Sequence, residues 1–191
     1  MSSQLLETIK IVDGKIYNIE WHNNRFNKSR EKLFQKKEIL NLEGFITPPK
    51  RGLYRCRILY GKDIDSIEYI PYTPKIIESI KIVKSDIDYS YKYSDRKEIN
   101  SLLKRSFDDI IIEKDGFLTD TSIANIAFYN GQQWVTPKKP LLHGTMREQL
   151  LYENFLIVKN IKSREIQNFS HFALMNAMIG FQIQKRITIK P

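Results

Sequence analysis

Three dipeptides constrain this chain more than any other feature. Asp13-Gly14, Asp115-Gly116 and Asn130-Gly131 each stand between runs of alternating apolar residues. Such pairs supply the positive φ that tight hairpin turns need. "LLETIKIVDGKIYNIEWH" therefore reads as strand, turn, strand, and "DDIIIEKDGFLTD", "NIAFYNG" and "QQWVTP" read as a meander of short strands. "GLYRCRILYG", "SIEYIPY", "IIESIKIVK", "FLIVKNIK" and "HFALMNAMIG" have the same strand character. Helical spacing appears between them. Phe26, Leu33 and Phe34 predict an amphipathic helix over 21–36, and a second short helix is expected over 36–43, before Pro48 and Pro49 break the chain. A further helix is expected from Asp95, near its N-cap, to Arg105, and another in "GTMREQLLYENF". Strands and helices mix without βαβ alternation, so the fold class is α+β. The polar and aromatic run 85–94 reads as a linker between two lobes, 1–86 and 87–191.

With 41% hydrophobic residues among 191, the chain can build a core. No run of about 18 apolar residues is present, so no membrane span is expected. The single cysteine, Cys56, excludes an internal disulfide, and a cytoplasmic location is expected. Cys56 alternates within a strand and reads as a core thiol. The net charge of +9 is spread along the chain, with no basic helix face carrying interleaved aromatics. That charge is compatible with nucleic acid, an anionic membrane surface or small anionic molecules, and a small anionic partner is expected, with neither nucleic acid nor membrane. His22, His143 and His171 lack metal-ligand spacing, and no metal site is expected.

Three places combine polar residues with turns. Lys92 lies between Tyr91 and Tyr93. Asp120 and Asn125 sit in or beside apolar strands. Gly144 opens a helix in "PLLHGTMREQLL", and a helix start leaves N–H groups pointing outward as an anion site. Singly, each has an ordinary reading: a solvated lysine, a turn carboxylate, a loop-to-helix junction. Together, an amine, a buried carboxylate and an anion cradle are what pyridoxal phosphate requires.

In that order along the chain, the motifs resemble the class IV aminotransferase family, the fold-type IV pyridoxal phosphate enzymes. "IKIVDGKIYNIEWHNNRFNKS" is similar to the family's N-terminal strand–turn–strand and His-x-x-Arg helix, which puts Arg25 on the cofactor phosphate. "YKYSDR" resembles the segment bearing the Schiff-base lysine, here Lys92. "DDIIIEKDGFLTDTSIANIAFYNGQQWVTP" resembles the stretch whose carboxylate and asparagine serve the ring nitrogen, here Asp120 and Asn125. "LLHGTMR" resembles the phosphate loop, implicating Gly144 and the backbone of Thr145 and Met146. "LMNAMIG" resembles the last cofactor-side segment, around Asn176 and Ala177. The family usually carries glutamate where this chain has Asp120, one methylene shorter.

"GTMR" and "MNAMI" lean towards the aminodeoxychorismate lyase branch. The resemblance thus implies conversion of 4-amino-4-deoxychorismate to 4-aminobenzoate and pyruvate, with Lys92 catalytic. An aminotransferase acting on branched-chain or D-amino acids uses the same residues. A basic binding protein that keeps the fold without the cofactor is the third reading. A substrate with two carboxylates calls for basic side chains, and Arg55 and Arg57 alternate with Cys56 on one strand. Thr8, with Glu7, either reaches the pocket or joins a cross-strand polar pair. His22 is read as orienting the helix that bears Arg25. The resemblance implies a homodimer, with Tyr89, Tyr91 and Tyr93 expected near its seam.

Overall fold

A computed structural model describes residues 4–104, 106–185 and 187–190. The chain packs into two compact units, and each is interrupted in sequence. The first comprises Met1–Pro74 with Tyr91–Asp95, and the second comprises Lys75–Ser90 with Arg96–Pro191. The boundary expected between 86 and 87 falls inside the second unit, and Lys92 belongs to the first.

The first unit is a four-stranded antiparallel sheet in the order β2-β1-β3-β4, with one helix against it. Its elements are β1 (Leu5–Val12), β2 (Lys15–Ile16), α1 (Ile19–Phe34), β3 (Leu53–Tyr60) and β4 (Ile64–Pro71). Asp13 and Gly14 both take positive φ, 47° and 82°, and close the β1–β2 turn as their residue types demand. Alternation then sorts the side chains. Leu5, Ile9 and Ile11 of β1 meet Cys56, Ile58 and Tyr60 of β3, and Phe26 of α1 covers them with Leu42. Cys56 is a core thiol, and burial pushes its pKa up to about 12.

The inner face of α1 carries His22, Phe26, Ser29 and Arg30, at helical spacing and all buried. The helix stops at Gln35, which turns left-handed at φ 57°. The short helix expected over 36–43 does not form; Leu42–Phe45 make a single 3₁₀ turn. The reason lies on α1. The Asn27 side chain donates to Leu40 O (2.9 Å) and accepts from Leu40 N (3.0 Å), and Arg30 Nη1 donates to Glu38 O (2.9 Å). Those bonds engage the backbone groups that a helix would need.

Residues 91–95 are an excursion back to this first sheet. Leu6 N donates to Lys92 O (2.8 Å), Ser94 N donates to Gln4 O (2.9 Å), and Leu5 bridges Tyr93. Tyr91 and Tyr93 pack against the first core and Tyr89 is buried.

The second unit holds β5 (Ser79–Lys84), α2 (Lys97–Leu102), β6 (Asp109–Lys114), β7 (Phe117–Thr121), β8 (Asn125–Tyr129) and β9 (Trp134–Pro137). It continues with α3 (Thr145–Tyr152), β10 (Leu156–Lys159), β11 (His171–Asn176), β12 (Gly180–Gln184) and β13 (Thr188–Lys190). The sheet runs β10-β9-β8-β7-β6-β5-β13, with β11 pairing both β8 and β12. The strands from β6 to β9 are antiparallel neighbours, the expected meander. The sequence did not announce β12 or β13. The helix expected over 95–105 is only Lys97–Leu102, its N-cap is Arg96 rather than Asp95, and Arg105 lies outside the described residues. One sheet face gathers Ile80, Ile111, Leu118, Ile126, Phe128 and Leu174. On the other, Ala127, Ala173 and Met175 pack with Leu150 of α3 and Leu156.

Ile126 is fully buried on the central β8. Truncating it leaves a cavity that the paired strands cannot collapse into. Ile126→Ala is expected to lose about 2–5 kcal/mol of stability, read as a lower urea midpoint.

Candidate active site

The first unit buries a carboxylate in an apolar stripe. Glu7 shares a face of β1 with Leu5, Ile9 and Ile11, and it is 0% exposed. Helix α1 brings His22 and Arg25, three residues apart, over it. Arg25 donates from Nε to Glu7 Oε1 (2.8 Å) and from Nη2 to Glu7 Oε2 (2.6 Å), a two-pronged ion pair. His22 Nδ1–H donates to Glu7 Oε2 (2.5 Å). Burial works against the charge of Glu7, but the Arg25 guanidinium and the bonds from His22 and Arg25 outweigh it and hold its pKa at about 2. Burial drives the His22 pKa down; Glu7 opposes that, while the positive charges of Arg25 and Lys92 reinforce it.

Lys92 thus acts on the same histidine as Arg25. It is half-buried and sits at the tip of a three-residue turn closed by Tyr93 N donating to Tyr91 O (2.9 Å). Glu7 and Thr8 part company. Thr8 pairs with Arg57, and Lys10 with Arg55, so these four occupy the sheet face opposite Glu7. Arg57 Nη1 is engaged by Glu68 Oε2 (2.9 Å). Arg55 Nε is buried with no hydrogen-bond partner among the described residues.

The second unit buries the other carboxylate. Asp120, next to last in β7, pairs with Asn125 across the tight turn 121–124, which the Thr121 hydroxyl pins by accepting from Ile123 N (3.3 Å) and Ala124 N (3.0 Å). Asn125 Nδ2 donates to Asp120 Oδ1 (2.7 Å) and to Leu142 O (2.8 Å), and Leu142 N donates to Asp120 Oδ2 (2.9 Å). The Asp120 carboxylate is thus tied to the loop that opens α3. Gly144 has to be glycine, because a Cβ there would lie 2.0 Å from Asn125 Oδ1. Helix α3 begins at Thr145, which is buried, and Met146 packs beside Leu150. Asn176 accepts from Met178 N (2.9 Å) and Ile179 N (3.0 Å), curling the chain around half-buried Ala177, and donates to Ile123 O (3.2 Å).

Burial pushes the Asp120 pKa up to about 6, despite the donors at Leu142 and Asn125 and the charge of Arg147. No guanidinium or ammonium bonds this carboxylate among the described residues, in contrast with Glu7. A protonated ring nitrogen is the kind of group that would complete it.

Within the first unit, then, the structure brings Arg25 and Lys92 together around His22, while Thr8, Arg55 and Arg57 lie on the other sheet face. Within the second it joins Asp120, Asn125, Gly144, the start of α3 and Asn176. Sequence reading missed three contributors. The clamp role of Glu7 was signalled by an acid at an inward strand position. Arg147 is 2% exposed and donates to Glu148 Oε1 (2.5 Å) and Pro137 O (2.9 Å). Arg96 donates from Nη2 to Ser122 O on the turn beside Asp120. Neither arginine carried a sequence signal.

The two carboxylates predict opposite pH behaviour. The Glu7 pKa is depressed from 4.5 to about 2, so its contribution is complete above about pH 4.5 and is lost as pH falls towards 2. The Asp120 pKa is raised from 3.8 to about 6, so stability declines as pH climbs from about 4 to 6 and the deficit is full above 6. Melting temperatures across pH 2–8 in the cofactor-free protein are expected to show the second decline vanish in Asp120→Asn. Gly144→Ala is expected to cost about 1–3 kcal/mol by displacing Asn125, read by urea denaturation.

The chain is similar to known proteins. The sequence model of the amino-transferase class IV family matches residues 100–187. A Haemophilus influenzae protein, called an uncharacterized protein, is 41% identical over 184 residues, covering 92% of this chain and 98% of that one. A crystal structure from Haemophilus somnus 129PT, called "a putative 4-amino-4-deoxychorismate lyase", superposes with a TM-score of 0.85 at 38% identity, covering 94% of this chain and 98% of that one. A "hypothetical aminotransferase" from Mycobacterium tuberculosis, in a PLP-bound form, shares the fold with a TM-score of 0.77 at 14% identity, covering 100% of this chain and 84% of that one. The fold is therefore that of the fold-type IV enzymes, and the chain belongs to the amino-transferase class IV family.

Proposed function

We propose that this protein is a pyridoxal phosphate enzyme of the lyase branch, which cleaves 4-amino-4-deoxychorismate to 4-aminobenzoate and pyruvate. The observation that carries the cofactor is Asp120, a buried carboxylate held in place by Asn125 and Leu142 yet lacking a bonded cation among the described residues. The lyase reading draws on the whole-length likeness to the Haemophilus somnus protein and on "GTMR" and "NAMI".

In this reading Asp120 would hold the ring nitrogen, with Asn125 fixing the carboxylate. Arg25 and the first N–H groups of α3, at Thr145 and Met146 behind Gly144, would hold the phosphate. Asn176 would brace the turn beside Asp120, with Ala177 at the same wall. When bound, the cofactor supplies an electron sink for charge developing on the substrate carbon. Lys92 Nζ takes the proton from the amine-bearing ring carbon. The carbon–oxygen bond to the enolpyruvyl group breaks, and Lys92 returns a proton to the departing pyruvate. Arg55, Arg57 and Thr8 lie on the sheet face opposite Glu7, and Arg57 is committed to Glu68, so no substrate carboxylate is assigned to them. Two copies of the chain are proposed to form the working unit.

The purified protein is expected to show visible cofactor absorbance, with borohydride fixing the label on the Lys92 peptide by mass spectrometry. Lys92→Ala is expected to lose that absorbance and about 10²–10⁴-fold of the rate. Incubation with 4-amino-4-deoxychorismate is expected to release 4-aminobenzoate and pyruvate. Brisk amino transfer from amino acids to 2-oxoglutarate with no 4-aminobenzoate overturns the lyase reading in favour of a transaminase.

A further inference from the structure

We propose that Glu7 is a positioning residue for the anion site: it sets the plane of Arg25 from below and thereby governs how tightly a phosphate group is held. The inference rests on the reading of Arg25 as the phosphate arginine.

The geometry points there directly. Arginine is long and flexible, and a helix surface by itself does not fix its guanidinium. Here two bonds to one carboxylate, at 2.8 and 2.6 Å, fix both the plane and the edge that faces the sheet. Glu7 is in turn immobilised. It stands on β1, paired with Ile58 of β3, and His22 Nδ1 donates to the same Oε2 that Arg25 Nη2 reaches. The glutamate side chain is 0% exposed and that of Arg25 is 14% exposed, so the clamp lies beneath and the guanidinium nearer the surface.

A second consequence follows from charge. Glu7 cancels the charge of Arg25, and His22, its pKa lowered by burial, is held towards its neutral form. An anion arriving at Arg25 therefore meets oriented N–H groups more than net positive charge. Grip of that kind depends on direction. Loosening the clamp is expected to weaken the hold on phosphate even though it removes a negative charge.

Glu7→Gln is the informative variant. It keeps the volume, but its amide nitrogen would face donors on Arg25 or His22. Dissociation constants would be measured by absorbance titration with pyridoxal 5′-phosphate and with pyridoxal, which lacks the phosphate. A phosphate-specific clamp predicts at least tenfold weaker binding of the phosphorylated form and less than twofold change for pyridoxal. It also predicts that Glu7→Gln adds nothing in an Arg25→Gln background. Equal weakening for both ligands means that Glu7 is only a structural ion pair and overturns the inference. Unchanged or tighter phosphate binding overturns it as well, by showing that net charge outweighs orientation. If Glu7→Gln does not fold, Glu7→Asp serves. It keeps the carboxylate but draws it back by a methylene, and a smaller loss, again confined to the phosphorylated ligand, is expected. Failure of the wild-type protein to bind either ligand sinks the proposed function itself, whereas normal wild-type binding with an indifferent Glu7→Gln sinks only this inference.

Discussion

A carboxylate taken out of water must be met by charge or by donors, and this protein meets that demand in two different ways. In the first unit Glu7 has a guanidinium at 2.6 Å and an imidazole N–H at 2.5 Å, and it remains ionised far into acid. In the second, Asp120 has an amide and a peptide N–H but no bonded cation among the described residues, and its affinity for a proton rises instead. The first arrangement is complete as it stands. The second is preorganised and electrostatically short of one partner, the condition expected of a group that works on a ligand. Part of the polar order in the second unit serves that one side chain: the turn pinned by the Thr121 hydroxyl, the asparagine at the start of β8, and the glycine that lets Asn125 approach α3.

Helix α1 shows how much polar structure a small unit can hide. Its inner face contains one aromatic, Phe26, among His22, Ser29 and Arg30. Arg30 is buried, lies over the Phe26 ring with its Cζ 5.2 Å from the centroid, and spends Nε on Lys62 O and Nη1 on Glu38 O. These bonds hold the loops that follow α1 and β3, so the helix organises irregular chain as well as a core. Buried arginine without its partners is costly, which ties the conformation of 36–41 to the integrity of α1.

Much of this was legible beforehand, for identifiable reasons. The turn dipeptides place three hairpins because few residues accept the backbone they require. Asp13-Gly14 takes positive φ at both positions, while Asn130 instead uses its side chain to accept from Gln132 N and Gln133 N and leaves only Gly131 at positive φ. Asp120, Asn125 and Gly144 were visible as polar or small residues set against strand and helix patterns. What escaped was non-local. The short helix expected over 36–43 lost to the side chains of Asn27 and Arg30. Asp95 lost the N-cap to Arg96. The pairing of Glu7 with Arg25 spans 18 residues of sequence, and β13 pairs with β5 across more than a hundred. No local pattern encodes such partners. The faces of β1 could have been sorted by parity alone. Strict alternation puts Glu7 with Leu5 and Ile9, and Thr8 with the arginine face.

The return of residues 91–95 to the first sheet has a consequence for how the protein is made. A chain leaves the ribosome N-terminus first, and domains that are continuous in sequence can fold as they emerge. Here the amide of Leu6, on the strand that emerges earliest, waits for a carbonyl 86 residues downstream. By then the chain has already begun β5 of the second unit. Neither unit can be finished before part of the other has been synthesised. The segment 91–95 is therefore the stitch that commits the first sheet to its final form, late in its own synthesis.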